Sequence, residues 1–196
     1  MTSEDGTMLA ARPPAGLMET PAPFATEAEL VAACKAGRRD AFDALVARFY
    51  DRIHRLAWNL AGPTPAADLA QETFLAAVKS FPNFRGDSQV GTWLVSILRN
   101  QVGLHLRGRK KWRYASLEGE GERLPAPEAD ETGKGVQAVL DRARELPEDL
   151  RTTLILFHVD GLKYAEIAQV LQCPVGTVRS RLFEARERLR KLCEKT

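Results

Sequence analysis

The chain has 196 residues, 44% of them AVILMFWYC and 28% charged, with a net charge of +2. That is long enough for one ordinary domain or two small ones, each with its own core, and the mixture excludes a fibrous or wholly disordered protein. Cys34, Cys173 and Cys193 stand far apart with no CxxC pair, the first 26 residues lack the basic and apolar stretches of a secretory leader, and no run reaches the roughly 18 apolar residues of a membrane span. A disulfide framework, a zinc module, export and membrane insertion are therefore not expected, and a cytoplasmic setting is.

Residues 1–26 carry four of the eleven prolines and few large apolar groups, and read as a disordered tail. Helical periodicity begins at Glu29 and continues through Phe42, Leu45, Val46, Phe49, Ile53, Leu56 and Leu60, which predicts one long amphipathic helix stopped by Gly62. Thr64 as N-cap with Pro65 at the first helical position predicts a second helix, running to about Ser80. The stretch Phe81 to Gln89 holds Pro82, Asn83, Gly86, Asp87 and Ser88, the chemistry of a loop. A third helix is predicted from Thr92 through Trp93, Leu94, Ile97, Leu98 and Val102.

Opposite that apolar stripe lie Ser96, Arg99, Asn100, Gly103, Arg107, Lys110 and Lys111, and Trp112 and Tyr114 interleave with the basic residues that follow. From Arg99 to Arg113 there are six Arg or Lys and no acid. Alone, such a run is usually a solvated helix end, but basic side chains among aromatic rings also suit a single nucleic-acid strand, whose bases stack on rings while cations follow the phosphates. Between Ala115 and Gly135 periodicity disappears and Gly, Pro, Glu and Asp dominate, as in a flexible acidic linker. Four short helical patterns follow, divided by Pro147, Gly161 and Pro174, and nowhere does the chain alternate convincingly with period two. The expected fold class is all-α, two small helical domains joined by a linker.

The stretch from Lys163 to Leu182 has the logic of a helix-turn-helix. Ile167, Val170 and Leu171 form the apolar side of its first helix, and Ala168 lets the pair approach closely. Val178, Leu182, Ala185 and Leu189 form the inward stripe of the second, which begins near Pro174. With that stripe inward, Ser180, Phe183 and Glu184 face outward, flanked by Thr177, Arg179 and Arg181. An exposed Phe183 leaves apolar area in water unless a partner covers it, and thymine methyl groups in the major groove are such partners. Gln172 occupies a position where many such turns carry glycine, so the turn is expected to be made another way. His54, His105 and His158 sit in separate helical patterns without paired carboxylates or a Gly-rich phosphate loop nearby, so neither catalysis nor a metal is expected, and no cofactor. Cys173 and Cys193 read as small buried hydrophobes.

Three motifs, in order, carry a resemblance: Asp68-Leu-Ala-Gln-Glu-Thr-Phe-Leu; Phe84-Arg-Gly-Asp-Ser with Thr92-Trp-Leu and Arg99-Asn; and Pro174-Val-Gly-Thr-Val-Arg-Ser-Arg-Leu with Ala185-Arg. The chain resembles the extracytoplasmic-function (ECF) sigma factors, bacterial promoter-specificity subunits of RNA polymerase. The resemblance implies a tail over 1–26, sigma region 2 over 27–114, a linker over 115–135 and sigma region 4 over 136–196. It implies that Asp68, Gln71 and Glu72 dock on the clamp helices of the polymerase β′ subunit, with the β flap as a further contact. The loop of Asn83, Phe84, Arg85, Gly86, Asp87 and Ser88 would accept a base flipped from the minus-ten element, with Ser96, Arg99, Asn100, Arg107, Lys110 and Lys111 holding the strand. Region 4 would read the minus-thirty-five element through Arg179, Ser180, Arg181, Phe183 and Glu184, with Lys163, Tyr164 and Thr177 on phosphates.

An anti-sigma factor is a further implied partner. A 21-residue linker extends to roughly 70 Å at about 3.3 Å per residue, and two DNA turns span about 68 Å, so one chain reaches both elements. In two places the chain departs from the family pattern. Glu184 stands where a basic residue is frequent, and an acid there accepts from a cytosine amino group instead of donating to guanine. Lys163 replaces the usual Ser or Thr before the first motif helix, which removes a side-chain cap. The competing reading is a stand-alone helix-turn-helix regulator of duplex DNA, which has no reason to keep the Asp68 to Val78 helix and the loop after it.

Overall fold

A computed structural model describes residues 24–115 and 139–194, with side chains described to residue 108 in the first segment. Most of the tail, nearly all of the linker, and the side chains of Lys110, Lys111, Trp112 and Tyr114 lie outside the described residues. Within them the regular structure is helical: α1 (Glu27–Lys35), α2 (Arg39–Ala61), α3 (Pro63–Ser80), α4 (Val90–Ala115), α5 (Glu148–His158), α6 (Tyr164–Leu171) and α7 (Val175–Glu194), with one 3-10 turn at Phe81–Asn83. Residues 139–143 are also helical.

The first expected helix is two. Thr26 caps α1 by accepting from the Glu29 amide at 3.2 Å, while the Glu29 carboxylate accepts from the Thr26 amide at 3.4 Å. Gly37, at φ 73°, then turns the chain before α2 starts. The apolar rhythm runs on across the break because both pieces face one core, so periodicity could not locate it. Helix α3 starts at Pro63, with Gly62 at φ 98° as its cap, two residues before the expected start. A proline at the first position needs no amide partner, so the glycine turn decides the boundary. Helix α4 begins at Val90, whose amide donates to Glu27 Oε1 at 3.0 Å; its start is fixed by a side chain 63 residues away.

Leu45, Ile53, Leu56, Leu69, Leu94 and Leu98 are sealed between α2, α3 and α4. In the second half Ala143, Leu146, Leu150, Leu154 and Ala185 form a smaller core beneath α7. The halves are also packed on each other, α6 against α4 and α5 against α2, so that Ile155, Leu156, Ile167 and Leu171 join the core of the first half. The linker is thus not the sole connection between two bodies.

Candidate nucleic-acid interface

The helix-turn-helix is built as its pattern predicts, with one difference in the turn. Gln172 itself takes the left-handed conformation, φ 51° and ψ 46°, and the Cys173 amide closes the turn on the Ala168 carbonyl at 3.1 Å. The glycine conformation is kept without the glycine. At the other end of α6 the Glu166 carboxylate accepts from the Lys163 amide at 2.8 Å, which replaces the missing Ser or Thr cap from the opposite direction. Lys163 is exposed, while Tyr164 is half-buried with its ring 5.3 Å from that of Phe157.

On α7, Val178, Leu182 and Ala185 are buried, and Arg179, Ser180, Phe183 and Glu184 are exposed with Thr177 at the edge. Phe183 is 71% exposed, the most open of the large apolar side chains described. The face is not uniformly free. Arg181 donates to Asp149 at 2.7 Å, Glu184 is paired with Arg188 at 2.6 Å, and the Ser180 hydroxyl donates to the Thr177 carbonyl at 3.0 Å. Arg181, expected among the reading residues, is turned toward α5, which leaves Arg179 as the guanidinium near Phe183 that has no partner among the described residues.

In the first half the 83–89 loop stands clear of the surface: Asn83, Arg85, Gly86 and Asp87 are exposed and Ser88 partly so. Gly86 supplies φ 83° at its apex. Phe84 corrects the expectation. It is 6% exposed, its ring 5.6 Å from that of Phe81 and 5.0 Å from that of Trp93. An apolar ring in a polar loop is the piece that the core can capture, so Phe84 anchors the loop, and the hydrophilic residues around it are those left at the surface. From the loop the α4 stripe continues with Ser96 half-buried, its hydroxyl donating to the Trp93 carbonyl at 2.6 Å, then Arg99, Asn100 and Arg107. Arg99 Nη1 donates to Asn100 Oδ1 at 3.3 Å, which orients the amide NH2 outward.

Asp68, Gln71 and Glu72 are exposed along one side of α3. The same side carries Leu75, 60% exposed, which the sequence reading passed over although its steps of three and four from Glu72 and Gln71 put it on that face. An apolar side chain ringed by acids and amides suits a protein partner better than a phosphate backbone.

Among the described residues no three His, Cys, Asp or Glu side chains are placed to hold a metal. His158 is held below its ordinary pKa by burial and by Arg186. The buried Cys34 thiol is pushed up to about 11 by desolvation and by Asp40, which keeps it protonated and inert. Cys173 is half-buried and packed against the core, and Cys193 is exposed on the outer side of α7, whose Leu189 and Leu192 pack on the second core, so the expectation that both are buried fails. No described helix is long and apolar enough to cross a membrane.

Comparison with known proteins assigns both halves. The family model described as Sigma-70 region 2 matches residues 45–112, and the one described as Sigma-70, region 4 matches 137–189. The RNA polymerase sigma-H factor of Pseudomonas aeruginosa is 38% identical, over 83% of this chain and 91% of that protein. The ECF RNA polymerase sigma-E factor of Haemophilus influenzae is 33% identical, over 83% and 92%. Among solved structures, the sigma factor RpoE of Bartonella quintana, crystallised with the anti-sigma factor NepR, superposes with a TM-score of 0.69 at 27% identity, covering 78% of this chain and 96% of that one.

Proposed function

This chain belongs to the ECF sigma factors of the sigma-70 family, and from that premise we propose how its surfaces divide the work of promoter recognition. It is a promoter-specificity subunit of RNA polymerase. The observation that carries the division is the presence, on one chain, of two polar surfaces of different construction. One is a rigid helix face around the exposed Arg179 and Phe183; the other is an exposed glycine-tipped loop followed in sequence by the α4 stripe of Arg99 and Asn100.

Helix α7 enters the major groove of the minus-thirty-five element. Phe183 covers thymine methyl groups, Arg179 and Glu184 meet base edges, and Lys163 and Thr177 contact phosphates. Arg181 sits at the rim, its charge offset by Asp149. At the minus-ten element the 83–89 loop takes a flipped base, with Asn83, Arg85, Asp87 and Ser88 supplying polar contacts and Asn100 the amide beside them. The α4 stripe of Arg99 and Arg107, continued in sequence by Lys110 and Lys111, holds the displaced strand. Melting by capture needs no nucleotide hydrolysis: binding the open strand more tightly than the duplex shifts the equilibrium.

Asp68, Gln71, Glu72 and Leu75 form the surface for the β′ clamp helices, and region 4 meets the β flap. The chain contributes specificity and leaves bond-making to the polymerase, acts in the cytoplasm where that enzyme works, and is restrained by an anti-sigma factor that covers these surfaces. A regulator that touched duplex DNA alone would have no use for the α3 face. The deciding experiment is transcription by bacterial core polymerase, with and without this protein, on a pool of promoter fragments. Initiation at a defined subset supports the reading, and failure both to bind core and to direct initiation at any fragment ends it.

A further inference from the structure

The second half holds an apolar cleft of about 420 Å³ between the helical residues 139–143, the end of α5 and the C-terminal half of α7. That volume lies within the range of small-molecule sites, about 300–1,000 Å³. Leu140, Ala143, Leu154, Ile155 and Leu189 line it, with the 42% exposed Val139 at its edge. No Asp or Glu takes part in the lining, whose polar members are His158 and Arg186. Apolar wall left open to water is costly unless something covers it.

The charge at the cleft is unmatched. On α7, Arg181, Arg188 and Arg190 each pair with a carboxylate, whereas Arg186 has no carboxylate partner among the described residues. Its Nη2 donates to His158 Nε2 at 3.4 Å, and its guanidinium carbon lies 5.5 Å from the centre of the Phe157 ring. These contacts settle the guanidinium beside the cleft and leave N–H donors to spare. To accept from Arg186, His158 Nε2 carries no proton, and burial together with the charge of Arg186 holds that imidazole below its ordinary pKa. The pair therefore presents one positive charge.

An apolar cleft beside one unmatched cation is complementary to a single-chain amphiphile with one negative charge. We propose that it binds a free fatty carboxylate, the chain lying against Leu140, Leu154 and Leu189 and the carboxylate accepting from Arg186. The hydrocarbon displaces water from the apolar wall, and the head group takes the donors that no acid of the protein takes, in a charge-assisted hydrogen bond. Binding is a property of the free chain and needs neither polymerase nor DNA.

The test is isothermal titration calorimetry of the full chain with decanoate, decan-1-ol and decyltrimethylammonium, each below its micelle-forming concentration, with circular dichroism to follow helix content. The variants are Arg186→Gln, Arg186→Lys and Val139→Trp. The last places a large ring at the exposed edge of the cleft and leaves the buried wall intact.

Decanoate is expected to saturate a single site about tenfold more tightly than the alcohol, with the ammonium weaker still. Arg186→Gln is expected to bring decanoate down to the affinity of the alcohol, Arg186→Lys to keep most of the preference, and Val139→Trp to weaken acid and alcohol alike, all with wild-type helix content. Should Val139→Trp lose helix content, the two Arg186 variants decide. Equal affinity for the three amphiphiles overturns the proposal, as does the absence of saturable decanoate binding or decanoate binding that Arg186→Gln leaves unchanged. Two other occupants would also overturn it. A chain that ignores decanoate but loses affinity for core polymerase on Val139→Trp fills the cleft with protein, and one that ignores decanoate but sediments with phosphatidylglycerol vesicles meets a membrane surface instead.

Discussion

Each of the two DNA-facing halves presents a phenylalanine in a polar stretch, and the two have opposite fates. Phe84 is 6% exposed and Phe183 71%. Phe84 lies in a loop, and a loop has no packing of its own. One apolar ring sunk between Phe81 and Trp93 lets the exposed residues around Gly86 hold a shape. Phe183 lies on a helix already anchored from beneath by Val178, Leu182 and Ala185, so its own ring is free for a partner. The loop uses its aromatic ring for position, whereas the helix leaves its ring at the surface, as the proposed contact with DNA requires.

Phe84→Ala should be the most damaging, lowering stability by about 3–5 kcal/mol, read as a lower urea midpoint. A variant as stable as the wild type but deficient in minus-ten binding would return Phe84 to the ligand surface. Phe183→Ala should leave thermal stability and core binding unchanged while weakening binding to an upstream-element duplex by about 1–2 kcal/mol. Equal losses of stability and DNA affinity would mean that the ring packs.

The two arginines of α7 test the same division at finer scale. Arg179→Ala should lower duplex affinity and relax base preference, at a cost of roughly 1–3 kcal/mol. Arg181→Ala should cost less, because Asp149 already engages it, and electrophoretic mobility shifts on a randomised upstream element would rank the pair. The smallest effect is expected at the turn. Gln172→Gly should relieve left-handed backbone strain and raise stability by up to about 1 kcal/mol, without altering base preference. A fall in melting temperature would mean that the Gln172 side chain contributes more than its backbone strain costs.

Much of the fold was legible because amphipathic helices report their inward face with a period of 3.6. The α7 stripe and the α4 stripe both lie where that period puts them. The break at Gly37 was not legible, since α1 and α2 continue one rhythm into one core, and neither was the start of α4, which depends on Glu27. At the candidate site, the exposed face of α7 and the polar loop could be named in advance. Which nominated residues are already engaged, Arg181 by Asp149, Glu184 by Arg188 and Phe84 by Trp93, could not. Leu75 was within reach of helical spacing and was overlooked because its neighbours are polar.

The all-helical class, the helix-turn-helix, the loop before the basic helix and the family can all be read from the chain alone, because each is written in local spacing or in a contiguous motif. Tertiary structure alone decided that Phe84 is buried, that Gln172 makes a glycine's turn, and that Arg52 finds Asp160 across 108 residues. Those outcomes depend on which surfaces meet after the chain has folded back on itself, and a pattern confined to neighbouring residues does not carry that information.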